Sequence, residues 1–436
     1  MATCLPSPLA YPAGEPVMPK TIDTITDVVA CNLCTGCGAC AGAFPRAIEM
    51  IEDPVEGRRP VARAPGGAED RAALEVCAGH AVPDWSATDQ IEADWGPVLA
   101  CWEGHAADPE IRHAGSSGGA ATALSLFALQ SGQAQGVAHI RACPDDPRLN
   151  ETTISRDRAG LLSGTGSRYA QSSPLDIMPK VAAEDGRIAF VGKPCDVASL
   201  TRMRQRDADL AARVGVTIAI FCAGAPNLVA TERLLDRLGV PKTARLTDLR
   251  YRGNGWPGLM QASWTDEAGQ DHTSEGIPYG EGWGQILQTG RRWRCRICDD
   301  HTGALADISV GDPWHTPPAG NTDAGRSLIV ARTAEGRALV EAAIAGGALI
   351  AQPQARDVIA RAQPNLLATN AAAWGRRTAM RMVGMPVPKA TSASSFAIWR
   401  RRLSVHDKAS SILGTLKRIW RQKLWRPVRL NAAGTE

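Results

Sequence analysis

Twelve cysteines, four of them within ten residues, constrain this 436-residue chain more than any other feature. The segment 31–40 reads CNLCTGCGAC, so that Cys31, Cys34, Cys37 and Cys40 recur every third residue. Thiolates at this spacing are typical of a loop that presents several sulfurs to one iron–sulfur cluster. A four-cysteine zinc site is the alternative, but zinc usually takes two separated C-x2-C pairs. The pattern therefore predicts an iron–sulfur cluster in this segment.

Spacing alone leaves the fourth ligand of this cluster open. Bacterial ferredoxins use the run C-x2-C-x2-C-x3-C-P, and its last cysteine, counted from Cys34, would stand where this chain has Phe44. The loop therefore needs a ligand from elsewhere. Two candidates are present, namely Cys31, immediately upstream of the loop, and Cys77, in the segment EVCAGH.

Four further cysteines suggest a second cluster. Cys295 and Cys298 form a C-x2-C pair, whereas Cys195 and Cys222 each follow a short apolar run, RIAFV and VTIAIF, that is typical of a buried parallel strand. The carboxyl end of such a strand opens onto the crevice where open α/β sheets bind ligands. The alternative for Cys195 or Cys222 alone is a small buried hydrophobe.

Residues 186–345 alternate short apolar runs with helical stretches, which predicts an α/β layer. Ahead of this region, a glycine- and serine-rich turn leads into a stretch that suits a helix. The turn consists of Gly115, Ser116, Ser117, Gly118 and Gly119. Free N–H groups at such a helix start suit a phosphate group, and a merely close-packed helix start is the alternative.

The charge of the chain is concentrated at one end, because residues 391–436 carry ten Lys or Arg and only two acidic residues. As a helix, this tail would align the following residues on one face: Ile412, Leu416, Ile419, Trp420, Lys423 and Leu424. A basic amphipathic helix suits an anionic membrane surface, and docking on the acidic body of the same chain is the alternative. Nucleic acid is not expected as a partner, since no recognition motif accompanies the charge.

No apolar run reaches the length of a membrane-spanning helix, and no signal peptide is visible at the start of the sequence. We therefore expect a cytoplasmic protein, or one held at the inner membrane surface if the tail binds lipid. The sequence is equally compatible with a homo-oligomer.

Eight motifs, in order along the chain, resemble the beta-subunit family of coenzyme F-420 (deazaflavin) hydrogenases and dehydrogenases, which includes 7-hydroxymethyl chlorophyll a reductase. They are CTGCGAC, RHAGSSGGAATAL, GSRYAQS, VGKPCD, FCAG, YRGNGWPG, CRICDDHTGALADISVGDPW and GRSLIVART. They span residues 31–345, whereas residues 346–436 carry no motif of the family.

The resemblance implies FAD and two [4Fe–4S] clusters. An internal cluster would be held by Cys195, Cys222, Cys295 and Cys298. An N-terminal cluster would be held by Cys34, Cys37 and Cys40, with Cys77 as the distant fourth ligand. The FAD pocket would comprise the turn Gly115–Gly119 together with Ser167, Arg168, Tyr169 and Lys193. The sequence indicates no catalytic residue.

The predicted fold is α/β, with a ferredoxin-like iron–sulfur segment, a mixed α/β flavin-binding core and a basic helical tail. The predicted domains are 26–85 for the iron–sulfur segment, 93–175 for FAD binding, 176–345 for the α/β domain with the internal cluster, and 346–436 for the helical extension. The resemblance implies an oxidoreductase that relays electrons from a ferredoxin-type or deazaflavin donor through the clusters to FAD and a small organic substrate. The alternatives are a non-catalytic electron-transfer subunit of a larger complex and a zinc-bound scaffold.

Overall fold

An eight-stranded sheet organises the part of the chain that the computed structural model describes, residues 18–85, 91–389 and 394–430. In chain order its strands are β1 (Ala100–Ala106), β2 (Gly136–Ala142), β3 (Asn150–Ser155), β4 (Ile188–Gly192), β5 (Val214–Ile220), β6 (Ile308–Gly311), β7 (Ser327–Ala331) and β8 (Leu349–Gln354). Across the sheet their order is β8-β1-β7-β6-β5-β4-β2-β3.

The centre of the sheet is parallel and its two edges are antiparallel. Strands β2, β4, β5 and β6 run in one direction, and β3, β7, β1 and β8 pair with their neighbours in antiparallel fashion. The runs RIAFV and VTIAIF lie in β4 and β5, as the sequence predicts, and both strands are almost wholly buried. Near-continuous apolar runs are what strands covered on both faces require. The α/β prediction is confirmed, although one sheet takes strands from residues on both sides of position 175.

Helices cover both faces of this sheet. The longer ones are α1 (Ala120–Gln130), α2 (Pro194–Arg206), α3 (Leu228–Arg237), α4 (Ala334–Ala345), α5 (Pro364–Met382) and α6 (Val405–Gln422). Apolar side chains of α1 and α4 share one core cluster with β5 and β6, and those of α2 share another with β4. The shorter helices are Ile25–Ala30, Ala39–Ala43, Ala68–Ala72, Pro109–Ala114, Arg158–Leu162, Met178–Ala182, Ala208–Arg213, Tyr279–Glu281, Trp293–Arg296, Val358–Ala362 and Ser394–Arg402.

A smaller antiparallel sheet lies beside the central one and packs on α3. Its strands are Arg245–Arg250, Leu259–Thr265, Asp271–Thr273 and Ile277–Pro278. Leu234 of α3 shares an apolar cluster with Leu249, Tyr251 and Met260 from this sheet and its flanking loop. This packing fixes the position of the loop that starts at Tyr251, which borders the cavity described below.

The segment around residues 48–62 is a β-hairpin. Strand Ile48–Asp53 pairs with Gly57–Ala62, and Asp53 accepts two backbone N–H groups in the turn. Gly57 adopts a φ of +68°, a conformation that favours glycine, at the end of that turn. The charged residues of this segment hide its strand pattern, because Arg59 is buried and ion-paired with Glu56.

The basic tail docks on the body of the protein. Helix α6 packs against α5 and turns Ser411, Thr415 and Ile419 inward. The predicted helix is thus confirmed, but its predicted apolar face is only partly correct, since Trp420 points outward with 73% of its surface exposed. Residues 390–393 and 431–436 of the predicted tail domain lie outside the described residues. Among the helices that the structure describes, none is long and apolar enough to cross a membrane.

Candidate functional site

Three thiols of the loop 31–40 lie together with a fourth from a distant segment. Burial raises the pKa of the Cys40 thiol well above its usual range, and the nearby Cys34, Cys37 and Cys77 raise it further. Gly36 and Gly38 take left-handed φ values of +78° and +82°, which allow the tight turns between the cysteines. We call Cys34, Cys37, Cys40 and Cys77 the N-terminal set.

The other candidate ligand, Cys31, lies apart from this set. It ends the helix Ile25–Ala30 and is 1% exposed. Burial raises the pKa of Cys31 to about 12, and the charged group that adds to this shift is Asp27 rather than another cysteine. For Cys77, by contrast, burial raises the pKa to about 12 with contributions from Cys37 and Cys34. The structure therefore brings Cys77, and not Cys31, to the loop.

The second group of cysteines also converges, and we call it the internal set. Cys195 lies in the first turn of α2, directly after β4, and Cys222 follows β5. Burial raises the pKa of Cys222 to about 12, with Cys295 and Cys298 among the contributing neighbours. The N–H of Ala225 donates to Cys295 Sγ over 3.5 Å. Two strand ends and one C-x2-C pair thus meet, as the sequence predicts.

Each set offers four cysteine thiols, a donor set that suits either a structural zinc ion or a [4Fe–4S] cluster. A zinc ion needs its four sulfurs at about 2.3 Å from one point, whereas a [4Fe–4S] cluster distributes its cysteine ligands over different irons. Both sets therefore fit a [4Fe–4S] cluster in the number and chemistry of their ligands.

Buried N–H groups without a hydrogen-bond acceptor support the same fit. They occur in the run just before Cys295 and comprise Nε of Arg291, Nε of Arg292, Nε1 of Trp293 and Nε of Arg294. Buried donors of this kind usually have a partner, and the sulfurs of a bound cluster accept such hydrogen bonds.

Ser199 links the two sets. It lies one helical turn after Cys195 on α2 and is fully buried. The Cys37 thiol lies 3.4 Å from Ser199 Oγ, which also accepts the N–H of Ala78 over 3.0 Å. The first turns of α2 therefore contact both sets, which places the sets next to each other.

A cavity of about 240 Å³ opens at the carboxyl ends of β4, β5 and β6. Each strand contributes the residue that follows it or nearly follows it, namely Lys193, Cys222 and Asp312. The first turn of α1 lines the same cavity, and its N-cap, Gly119, provides no side-chain hydrogen bond to the free N–H groups of that turn. The cavity thus borders the internal set on one side and a helix N-terminus on the other.

Aromatic rings form one wall of this cavity. Tyr279 stacks on Trp314 with ring centroids 5.4 Å apart, and Tyr169 lies 4.8 Å from Trp283. Sequence analysis predicts only Tyr169 among these four, because the rings come from separate segments with no common spacing. Trp314 could have been predicted, because it is the last residue of the family motif that ends in GDPW.

Arg252 is the charged residue of this wall. It is 3% exposed, forms an ion pair with Asp312 at 2.6 Å, and lies over the Tyr279 ring at 4.8 Å. The motif YRGNGWPG contains it, but the sequence does not distinguish a cofactor contact from a plain hairpin connection there. The structure places Arg252 at the cavity, with its charge already balanced by Asp312.

Most residues predicted for the FAD pocket line the cavity. They are Gly115, Ser116, Ser117, Gly119, Ser167, Arg168, Tyr169 and Lys193. Gly118 packs beneath it instead and donates its N–H to Ser327 Oγ over 2.9 Å. The Arg168 guanidinium points away from the cavity, because it donates to the carbonyl oxygens of Pro147 and Leu249.

Lys193 is a cation that lines the cavity and lies two residues before Cys195 of the internal set. Its Nζ lies 2.7 Å from an Asp196 carboxylate oxygen and donates to Ser172 Oγ over 3.2 Å. Burial disfavours its charge, but Asp196 and Cys195 outweigh that effect and raise the pKa of Lys193 above its usual range. Lys193 is therefore charged at neutral pH.

Two family models match the chain. Residues 101–178 match the N-terminal part, and residues 185–357 the C-terminal part, of the "Coenzyme F420 hydrogenase/dehydrogenase, beta subunit". A similar structure is found in the F420-reducing [NiFe] hydrogenase complex from Methanosarcina barkeri, with a TM-score of 0.50 and 19% identity. That alignment covers 66% of this chain and 94% of the compared chain. At this identity the likeness establishes the fold alone.

Sequence relatives agree with the family models. The beta subunit of coenzyme F420 hydrogenase from Methanosarcina barkeri is 24% identical over 275 residues, which is 59% of this chain and 83% of the relative. The beta subunit of F420-dependent formate dehydrogenase 1 from Methanococcus maripaludis is 27% identical over 210 residues, 48% of this chain and 50% of the relative. Since the two matched ranges together exceed half of its length, this chain belongs to the beta-subunit family of coenzyme F420 hydrogenases and dehydrogenases.

Proposed function

We propose that this protein is an electron-transfer subunit of a larger oxidoreductase, in which two [4Fe–4S] clusters connect an external one-electron carrier to a flavin. The proposal rests on the spatial order of the N-terminal set, the internal set and the cavity. The N-terminal set adjoins the internal set through Ser199, and Cys222 of the internal set lines the cavity. Such a series suits single-electron steps between neighbouring centres.

The cavity suits FAD in its chemistry. When bound, FAD exchanges electron pairs with a substrate and single electrons with a one-electron centre. The uncapped first turn of α1 and the adjoining Ser116 and Ser117 offer N–H and hydroxyl groups to a diphosphate. Tyr279 and Trp314 offer a flat apolar surface, and Lys193 places a positive charge between the cavity and the internal set.

The choice between a subunit and an independent enzyme rests on the relatives. Both named relatives are beta subunits, one of a hydrogenase and one of a formate dehydrogenase. This favours the alternative function from the sequence, electron transfer within a complex, over turnover of a small organic substrate by this chain alone. The proposed partners are a catalytic subunit and a ferredoxin-type one-electron carrier. A deazaflavin carries a hydride, so as a partner it would exchange electrons with the flavin rather than with a cluster.

Anaerobic purification tests the proposal most directly. The full chain, reconstituted with iron, sulfide and FAD, is expected to bind iron and sulfide equivalent to two [4Fe–4S] clusters, together with one flavin. EPR of the reduced protein should give signals from two interacting centres. A colourless protein that binds zinc would contradict the proposal. Turnover of an organic acceptor by the isolated chain would favour the independent enzyme instead.

A further inference from the structure

The segment RRWRC, residues 291–295, lies between the two cysteine sets. Trp293 shares an apolar cluster with Cys34 of the N-terminal set. The guanidinium of Arg294 donates to the carbonyl of Ala78, the neighbour of Cys77, over 3.1 Å. Cys295 itself belongs to the internal set. A single short segment therefore lies beside both cysteine sets.

Arg292 is the residue of this segment that approaches the N-terminal loop most closely. Its guanidinium lies against Gly36, so that a Cβ added there would be 2.6 Å from Nη1. It donates to the carbonyls of Cys34, Glu56 and Arg58 over 3.4, 3.4 and 3.2 Å. Its backbone also fixes the internal set, because the N–H of Cys295 donates to the Arg292 carbonyl over 3.1 Å.

The charge of Arg292 is not balanced by a carboxylate. The residue is 3% exposed, its Nε has no acceptor, and in the part of the chain that the structure describes it forms no ion pair with Asp or Glu. By contrast, the buried Arg252 pairs with Asp312 at 2.6 Å and the buried Arg377 with Asp299 at 2.8 Å.

A buried cation without a counter-charge is strongly unfavourable. An arginine guanidinium stays protonated at neutral pH, so Arg292 brings a positive charge into this buried site. Its guanidinium donates to neutral backbone carbonyls, among them that of Cys34, and its own carbonyl accepts the N–H of Cys295. Cysteines of both sets therefore lie beside this charge and, as thiolates, would compensate it.

We propose that Arg292 is a positioning residue whose buried positive charge stabilises added negative charge at both cysteine sets, so that it sets the reduction potentials of the two clusters together. This inference rests on the proposed function, since it presupposes a cluster at each set. Reduction adds one electron to a centre whose ligands are already anionic, and a nearby cation favours that state. Removal of the charge should therefore make both potentials more negative.

The test is an EPR-monitored titration of reconstituted full-length protein, with dithionite as reductant and ferricyanide as oxidant. Arg292→Gln is expected to retain wild-type iron and sulfide but to lower the reduction equilibrium constant of both clusters by about tenfold, which is about 59 mV for one electron. Arg292→Lys keeps the charge and should remain closer to wild type at both clusters.

Arg58→Gln is the matched control. Arg58 borders the same loop, but its charge is already balanced by Asp176 at 3.0 Å. Its loss should therefore move the potentials much less than loss of Arg292. Unchanged potentials in Arg292→Gln would overturn the inference, and so would a shift at one cluster only.

If Arg292→Gln loses iron, the reduction potentials of Arg292→Lys test the inference instead. Wild-type potentials in the lysine variant would support a role for the charge, and potentials as low as those predicted for glutamine would overturn it. Wild-type protein that binds no iron–sulfur cluster would instead refute the proposed function, and this inference with it.

Discussion

The two cysteine sets each bring four thiols together, but they are assembled from different kinds of chain segment. The N-terminal set is a contiguous loop closed by one distant residue, and it lies outside the ranges that match the family models. The internal set lies inside those ranges and is assembled from two strand ends and a C-x2-C pair. Cys222 of the internal set lines the cavity, whereas none of Cys34, Cys37, Cys40 and Cys77 does. Under the proposed function, the internal set would serve the flavin and the N-terminal set would extend the electron path outward.

Loss of one ligand from each set should give the largest effects and should separate the two. Cys222→Ser is expected to remove the internal cluster, about half of the bound iron, and with it most of the FAD, because Cys222 lines the cavity. Cys34→Ser should remove the other half of the iron and leave FAD bound. Iron, sulfide and flavin analysis of the purified variants measures this difference.

Cys101→Ser is the control for these variants, since Cys101 is a buried cysteine of β1 outside both sets. It should retain all of the iron and FAD. Equal flavin loss in Cys222→Ser and Cys34→Ser would break the distinction between a flavin-linked set and an outer set.

The second prediction concerns the closing ligand of the N-terminal set. Cys77→Ser should abolish the EPR signal of that cluster, because Cys77 lies beside Cys34, Cys37 and Cys40. Cys31→Ser should leave both signals intact and cost only packing, since the neighbour that acts on Cys31 is Asp27. The reverse outcome, with the signal lost only in Cys31→Ser, would contradict the assignment.

The third prediction distinguishes a contact at one set from a charge that acts on both. Once Cys37 is a thiolate, the Ser199 hydroxyl is placed to donate to it. Ser199→Ala should therefore lower the reduction equilibrium constant of the N-terminal cluster by about tenfold, the effect of a hydrogen bond to a charged group. The internal cluster should be unchanged in the same EPR-monitored titration.

Thr201→Ala is the control for Ser199→Ala. Thr201 lies on the same helix, and its hydroxyl donates to the carbonyl of Val197 within that helix. A shift of equal size in both variants would mean that the helix as a whole, and not the contact with Cys37, is responsible.

The sequence predicts the parts of this site that depend on local pattern. The apolar runs predict β4 and β5. Because the carboxyl ends of neighbouring parallel strands open onto one crevice, they also predict that Cys195 and Cys222 lie close together. The choice of Cys77 over Cys31 depends on how the chain returns to the loop, which spacing does not encode. Side-chain direction is equally hidden, since Arg168 lies at the cavity but its guanidinium is bound to backbone carbonyls.

Long-range packing also explains what sequence analysis misses in the extension. The predicted helical extension, 346–436, is wrong at its start, because the family match reaches residue 357 and Leu349–Gln354 forms β8 of the central sheet. Further along, Arg377 of α5 pairs with Asp299 beside Cys298, and Arg401 and Arg402 bind the buried Asp94. A run of arginines is typical of a solvated surface, so that its buried carboxylate partners become evident only in the folded structure.

The last prediction concerns this extension and has the smallest effect on the clusters. Ile419 is 4% exposed and belongs to the same apolar cluster as Cys34 and Trp293, whereas the adjacent Trp420 is 73% exposed. Ile419→Ala should lower the free energy of unfolding by about 2 kcal/mol or more, and Trp420→Ala by less than about 0.5 kcal/mol. Thermal unfolding of the reconstituted protein measures both.

Ile419→Ala should also speed the loss of the N-terminal EPR signal in air relative to the internal one, because α6 helps to cover that set. If Trp420→Ala instead abolishes co-sedimentation with anionic vesicles at low salt, the outward face of α6 binds membranes as well. Equal stability of the two variants would mean that α6 does not dock on the body in solution.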